Sequence, residues 1–268
     1  MSDIRTFNLK ISEAIKADSS AGNLLKWVIN INGRSLFIKT STYNEYNNIW
    51  LYESYSEIIV CRLLKELGID NIVMYYPCKI NLDNGAVVLG CYSYSFLKEN
   101  ETFISIAKLH KLGKIDNYMF EGVQGYNQCI KDTKQLLNID YKMELDKIIT
   151  VDWLILNGDR HTGNFGFVYN YFTNNWKIAP IFDNGNSLFS LKNIEEISYD
   201  KSLDSYITSK PFYYKHDLQL QMIGKNYTIT KNINKTLQYL DKLEELGLSK
   251  HRINFIKQML MYRLKELK

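Results

Sequence analysis

Asp159 and Asn164 stand five positions apart in the run Gly158-Asp159-Arg160-His161-Thr162-Gly163-Asn164. Phosphoryl transfer asks for such a pair on one loop: a carboxylate beside the attacking hydroxyl and an amide oxygen for a hard divalent cation. Asp183, in Ile181-Phe182-Asp183-Asn184-Gly185, adds an anionic donor after an apolar strand pattern. Asn164 and Asp183 are therefore the candidate Mg²⁺ ligands and Asp159 the candidate base. Taken singly, Asp159 also suits a helix-terminating loop and Asp183 an Asp-Asn-Gly turn. Their order and setting favour a Mg²⁺·ATP site. His161 either holds Asp159, touches the transferred phosphate, or is a structural loop residue. Arg160 suits a structural role or a place beside phosphate. Asp152 falls on an apolar helix stripe, where a hydrogen-bonded core position near the loop is expected.

Upstream, Lys39 closes the apolar strand Leu36-Phe37-Ile38-Lys39 and shares a strand face with Phe37. A lysine there either reaches into a cleft to meet nucleotide phosphates or faces water at a sheet edge. Glu57 projects from the buried stripe of the next helix. Acids seldom sit there unpaired, so Lys39 is its natural partner, Glu53 the fallback acid, and a boundary glutamate reaching solvent the plain alternative. Asp18-Ser19-Ser20-Ala21-Gly22-Asn23 precedes the first hairpin. Its small residues let backbone N–H groups approach a phosphate, which makes Ser19, Ser20 and Gly22 candidate nucleotide contacts, although such a stretch equally suits a plain loop.

The elements that must carry these residues are legible in outline. Leu24–Asn30 and Arg34–Thr40 flank Asn32-Gly33, the strongest short hairpin signal, because a type I′ turn needs positive φ at both central residues. A second hairpin turns at Asp83-Asn84-Gly85 into Ala86–Leu97. A third runs Phe165–Tyr171, turns near Thr173-Asn174-Asn175 and returns through Trp176–Phe182. Val60, Leu63, Leu64 and Leu67 mark a helix from about Glu53 to Leu67, stopped by Gly68. Leu145, Ile148, Ile149 and Leu156 mark another, ending before Gly158. Ile253, Ile256, Leu260 and Leu264 line a tail helix capped at Ser249. Strands dominate before Lys98-Glu99-Asn100-Glu101 and helices after it. The expectation is an α+β fold with a small β-rich N-lobe over 1–97 and a larger helical C-lobe over 98–268.

Composition sets the frame. The 268 residues are 46% hydrophobic and 23% charged, ordinary for a globular chain long enough to build a sizeable core. A net charge of +4 is too weak to argue direct nucleic-acid binding. Cys61, Cys78, Cys91 and Cys129 show no C-x-x-C spacing and do not cluster with the histidines, so neither a zinc site nor a disulfide framework is expected. The twenty tyrosines are dispersed and suit core filling. Met1-Ser2-Asp3-Ile4-Arg5 lacks a cleaved signal pattern, and the most apolar stretch, Ile148–Leu156, is too short to span a membrane. Free thiols fit the cytoplasm; secretion without a cleaved signal stays open.

Ser19-Ser20-Ala21-Gly22 with Lys26, Lys39, the Glu57 helix ending at Leu67-Gly68, the Gly158–Asn164 run and Ala179-Pro180-Ile181-Phe182-Asp183 together resemble the HipA-like kinases. These are bacterial serine/threonine protein kinases, some of them toxins of toxin–antitoxin pairs. The resemblance runs from about residue 15 to 190. It implies a protein-kinase-like two-lobed fold, in a short form without the extra N-terminal subdomain of longer members. It implies ATP and Mg²⁺ as cofactors, Asp159 as base, Asn164 and Asp183 on the metal, and Lys39 on the ATP phosphates. The implied partners are a protein with a Ser or Thr acceptor and an antitoxin or regulator. Silencing by phosphorylation of a phosphate-loop serine, known for some members, would fall to Ser19 or Ser20. Asp183-Asn184-Gly185 stands where eukaryotic-type kinases carry Asp-Phe-Gly. The Gly-Asp-Arg-His-x-x-Asn stretch also resembles phosphatidylinositol kinases. A lipid kinase ranks second, since Glu195, Glu196, Asp200 and Asp204 oppose an anionic headgroup, and a non-catalytic nucleotide-binding module ranks third.

Overall fold

The computed structural model describes residues 4–15, 23–113, 121–195, 197–224, 229 and 232–267. Strands β1 (Arg5–Leu9), β2 (Asn23–Ile31), β3 (Arg34–Asn44) and β4 (Ile49–Trp50) come first. Helix α1 (Glu53–Glu66) follows, then β5 (Tyr76–Leu82) and β6 (Val87–Tyr94). These six strands form one sheet in the order β1-β5-β6-β3-β2, with β4 on β3. The Asn32-Gly33 turn joins β2 and β3 with φ of 53° and 74°, the two positive values a type I′ turn requires. That turn fixes a register in which Lys26 faces Lys39 and Val28 faces Phe37. Across the next ladder Lys39 faces Cys91. Strand alternation then buries Leu36 and Ile38 on one face and turns Phe37 and Lys39 to the other.

Helix α1 is covered almost all round. Ile58 and Cys61 pack under the sheet with Val73, Tyr75 and Cys91, while Ile59, Val60, Leu63 and Leu64 join the larger core. It stops in a Schellman motif: Gly68 has φ of 83°, its N–H donates to the Lys65 carbonyl, and the Ile69 N–H donates to the Leu64 carbonyl.

Past residue 98 come β7 (Glu101–Ser105), α2 (Ile106–Leu112), α3 (Gly122–Leu137), α4 (Lys142–Ile155), β8 (Gly166–Asn170) and β9 (Asn175–Ile178). The chain ends with α5 (His216–Met222), α6 (Asn234–Lys242) and α7 (Lys250–Glu266). The third predicted hairpin forms as β8 and β9, and β7 pairs with β8 to make a three-stranded sheet. Ser249 caps α7 by accepting from the Arg252 N–H at 3.2 Å. Ile253, Ile256, Leu260 and Leu264 are all buried, each such side chain contributing about 1.5–3 kcal/mol relative to exposure. Glu66, at the end of α1, accepts from the N–H groups of Lys235 and Thr236 at 2.8 and 2.7 Å and so caps α6 from outside its own chain segment. Two ties bring the segment after α1 to the end of the third hairpin. The Val73 N–H donates to Ile181 O, and the Ile181 N–H donates to Asn71 O.

Candidate active site

Helix α4 ends at Leu156 in the left-handed region, with φ of 53°, and releases the loop 157–164. The loop's shape is set by buried polar groups. Asn157 accepts the Asp159 N–H at 2.9 Å and donates its own amide to Asp152 at 3.1 Å. Arg160, 1% exposed, donates to both Asp152 oxygens, with its Nε and Nη2 each at 3.0 Å in the closest contacts. The same guanidinium donates to Phe182 O at 2.7 Å and to the Asn184 side chain. Only a planar, five-donor group can satisfy both loops at once. Asp152 is thus the core anchor of the loop and Arg160 a structural clamp.

Asp159 itself is 43% exposed in its side chain. Asn164 is buried and donates its amide to the Asp159 carbonyl at 3.0 Å, leaving its oxygen without a hydrogen bond among the described residues. His161 turns back on its own loop, where Nδ1 accepts the Gly163 N–H at 3.0 Å. Its ring therefore holds the turn, and the group on the Asp159 carboxylate is a different one: Lys210 Nζ, at 2.7 Å from Oδ1.

On the strand side, Lys39 Nζ touches Glu57 Oε1 and lies 3.0 Å from Asp183 Oδ1. Glu57 is fully buried, and its second oxygen accepts the Asn184 N–H at 3.0 Å. Burial on its own would lower the Lys39 pKa, but the charges of Glu57 and Asp183 outweigh this and hold it well above the ordinary value. Asp183 has φ of 55°. Lys39 above all, opposed by burial, holds its carboxyl far below the usual carboxylate range. The Tyr75 hydroxyl accepts the Asp183 N–H at 3.3 Å, and the Tyr75 ring lies 5.2 Å from Lys39 Nζ.

The cluster forms one end of a cleft of about 320 Å³. Val28, Phe37 and Phe96 supply apolar walls, and Lys26, Lys39 and Asp183 the charged end. An apolar pocket with a cationic end suits a flat base carrying phosphates. Among the described residues no group of three or more His, Cys, Asp and Glu is placed to hold a metal. Asp183 and Asn164 offer a carboxylate and an amide oxygen, hard donors suited to Mg²⁺, which takes few protein ligands and completes its shell with phosphates and water.

Structural alignment gives this fold a counterpart. The crystal structure of a Helicobacter pylori proinflammatory kinase, CtkA, superposes with a TM-score of 0.70, covering 99% of this chain and 95% of that one at 17% identity. The mixed α/β arrangement is that of a kinase structure. In sequence, the serine/threonine-protein kinase CtkA of H. pylori is 26% identical over 181 residues, 60% of this chain. The matched stretch spans half of that relative's length. No family model matches the chain.

The structure brings Lys39, Glu57 and Asp183 together and ties the Asp159–Asn164 loop to the Asp183 segment through Arg160. Ser19, Ser20 and Gly22 lie outside the described residues. Two further residues, Tyr75 and Lys210, enter the site, joined by Lys26 of the motif set. Lys26 was detectable, since counting outward from the Asn32-Gly33 turn places it opposite Lys39. Tyr75 and Lys210 carried no local signal.

Proposed function

We propose that this chain is a serine/threonine protein kinase that transfers the γ-phosphate of Mg²⁺·ATP to a Ser or Thr hydroxyl of a protein. The observation that carries it is Lys39 Nζ, in contact with Glu57 and Asp183 at the charged end of an apolar cleft. Lys39 with Lys26 would receive the nucleotide phosphates, and Glu57 fixes the lysine's position. Asn164 and Asp183 would hold Mg²⁺, which when bound neutralises charge on the phosphate oxygens. Asp159 accepts the proton of the acceptor hydroxyl, and Arg160 keeps the two loops in register. The similarity to a serine/threonine-protein kinase supports a protein acceptor over a lipid one.

The small strand-rich lobe over 1–97 and the helical lobe over 98–268 then enclose the nucleotide between them. Membership among HipA-like kinases, and an antitoxin or regulator as partner, rest on the motif set alone. No described helix is long and apolar enough to cross a membrane. The four cysteines are free and buried, as a reducing compartment would leave them.

Labelled ATP with Mg²⁺ and cell lysate tests the assignment, with wild type beside Asp159→Asn and Asp183→Ala. Labelled protein bands that vanish in both variants are expected. Labelling by both variants at the wild-type level would end the assignment.

A further inference from the structure

Lys210 reaches the proposed base from a segment far along the chain and outside every motif. It precedes α5, and its ammonium lies 2.7 Å from Asp159 Oδ1. The two side chains are 46% and 43% exposed, and an ion pair so open to solvent adds little to stability. Yet the turn that presents Lys210 is built with care. Gln219 of α5 is 2% exposed and spends its whole amide on that turn. It donates to Lys210 O at 2.8 Å and accepts from the N–H groups of Phe212 and Tyr213 at 3.0 and 3.3 Å. The Ser209 N–H closes the turn on Tyr214 O at 2.9 Å, and Gly122 N–H holds Phe212 O at 2.8 Å. The Phe212 ring packs edge-on against Tyr126. A buried polar side chain devoted to holding a solvent-facing lysine is hard to account for as packing.

The surroundings indicate what the lysine is held for. A groove of about 310 Å³ beside it is lined by His161, Thr162, Tyr213 and Tyr214. Among the described residues, Asp159 Oδ2 accepts no hydrogen bond, so one carboxylate oxygen is engaged by Lys210 and the other is open. We propose that Lys210 is a catalytic residue, an ammonium that contacts the phosphoryl group during transfer while it orients Asp159. This rests on the kinase assignment and adds to it a residue that no motif supplies.

In the step, the acceptor oxygen forms a bond to the γ-phosphorus. The bond from that phosphorus to the β–γ bridging oxygen breaks, its electron pair leaving on ADP. The hydroxyl proton passes to Asp159 Oδ2. Lys210 keeps its own protons throughout and neutralises charge on the non-bridging oxygens in flight.

The test compares Lys210→Met and Lys210→Arg with wild type, reading kcat and KM for ATP, binding of Mg²⁺·ATP, and the thermal midpoint. Lys210→Met is expected to lose about 10²–10³-fold in kcat, as removal of one transition-state donor does, with KM for ATP and the midpoint nearly unchanged. Lys210→Arg restores much of the rate by restoring the charge. A Lys210→Met variant as fast as wild type, or faster because the lysine was a latch on Asp159, overturns the proposal and leaves the kinase standing. Equal loss in both variants at unchanged midpoint overturns it too, since charge would then not matter. A wild-type chain that neither binds Mg²⁺·ATP nor labels protein removes the kinase assignment and this role with it.

Discussion

Lys39 and Asp183, drawn from β3 and from the loop beyond β9, meet with Nζ 3.0 Å from Oδ1. The contact is a hydrogen-bonded ion pair between strand and loop, and each partner favours the charged form of the other.

Lys39→Met is expected to reduce phosphate transfer by roughly 10²-fold or more, by loss of a preorganised cation at the phosphates. The same change releases Asp183. A carboxyl held low in the folded state contributes stability above its ordinary pKa and loses it as pH falls through the depressed value. Without Lys39 that contribution disappears, and the Asp183 carboxyl titrates at a higher pH than in the wild type. Carbon-detected NMR titration of Asp183 in both proteins checks it, and an unmoved titration would mean that the pair does not form in solution.

Arg160→Ala strands the Asp152 carboxylate, whose side chain is 1% exposed, and should cost about 3–5 kcal/mol in urea unfolding. Arg160→Lys should recover little, because one ammonium cannot reach Asp152, Phe182 O and Asn184 together. Equal stability for Arg160→Lys and wild type would show that the planar fork is dispensable.

Gly90 stands where two strands close on one another. A Cβ there would lie 2.3 Å from Ile80 Cδ1 and 2.8 Å from the Lys39 carbonyl oxygen. The isoleucine can turn aside, but the backbone of β3 must move. Gly90→Ala should destabilise by about 1–3 kcal/mol and weaken nucleotide binding by displacing Lys39. Thermal melts and titration with a fluorescent ATP analogue read the two effects separately.

His216 is buried with both ring nitrogens unpaired among the described residues. Burial first, then the nearby Arg263 and Lys201 charges, against the pull of Asp217, bring its pKa from 6.5 down to about 3. A depressed value means that the unfolded chain binds the proton first. Stability is therefore full above about pH 6.5 and falls on acidification at about 1.4 kcal/mol per pH unit until about pH 3. His216→Phe should flatten that slope in chemical denaturation across pH 4–6.5.

Local chemistry made much of the fold legible. The Asn32-Gly33 turn, the Gly68 stop of α1 and the Ser249 cap of α7 each encode a backbone conformation in one or two residues, and each stands where the sequence places it. Lys39 and Glu57 were found because a charge on an apolar stripe demands a partner. What stayed hidden depends on distant partners. Strand β1 earns its place only by parallel pairing with β5. Helix α3 carries Gly122 and Gly125 and buries Asp132 and Thr133, so its stripe does not read as apolar. His161 invited a catalytic role by its neighbours, yet its ring closes the turn on Gly163. Lys210 approaches Asp159 from a turn whose shape is dictated by a glutamine on the following helix.

The Arg160 clamp and the Gln219 clamp are separate fixtures. One guanidinium ties the Asp159 loop to the Asp183 segment, so those two loops can shift only as a unit. The Pro211–Tyr214 turn hangs from α5 by its backbone; Tyr213 packs half-buried against the core, while Tyr214, 78% exposed, is free to be exchanged. On the proposed kinase reading, an exchange at Tyr214 would reshape the groove beside Lys210 and leave the Arg160–Asp152 clamp untouched.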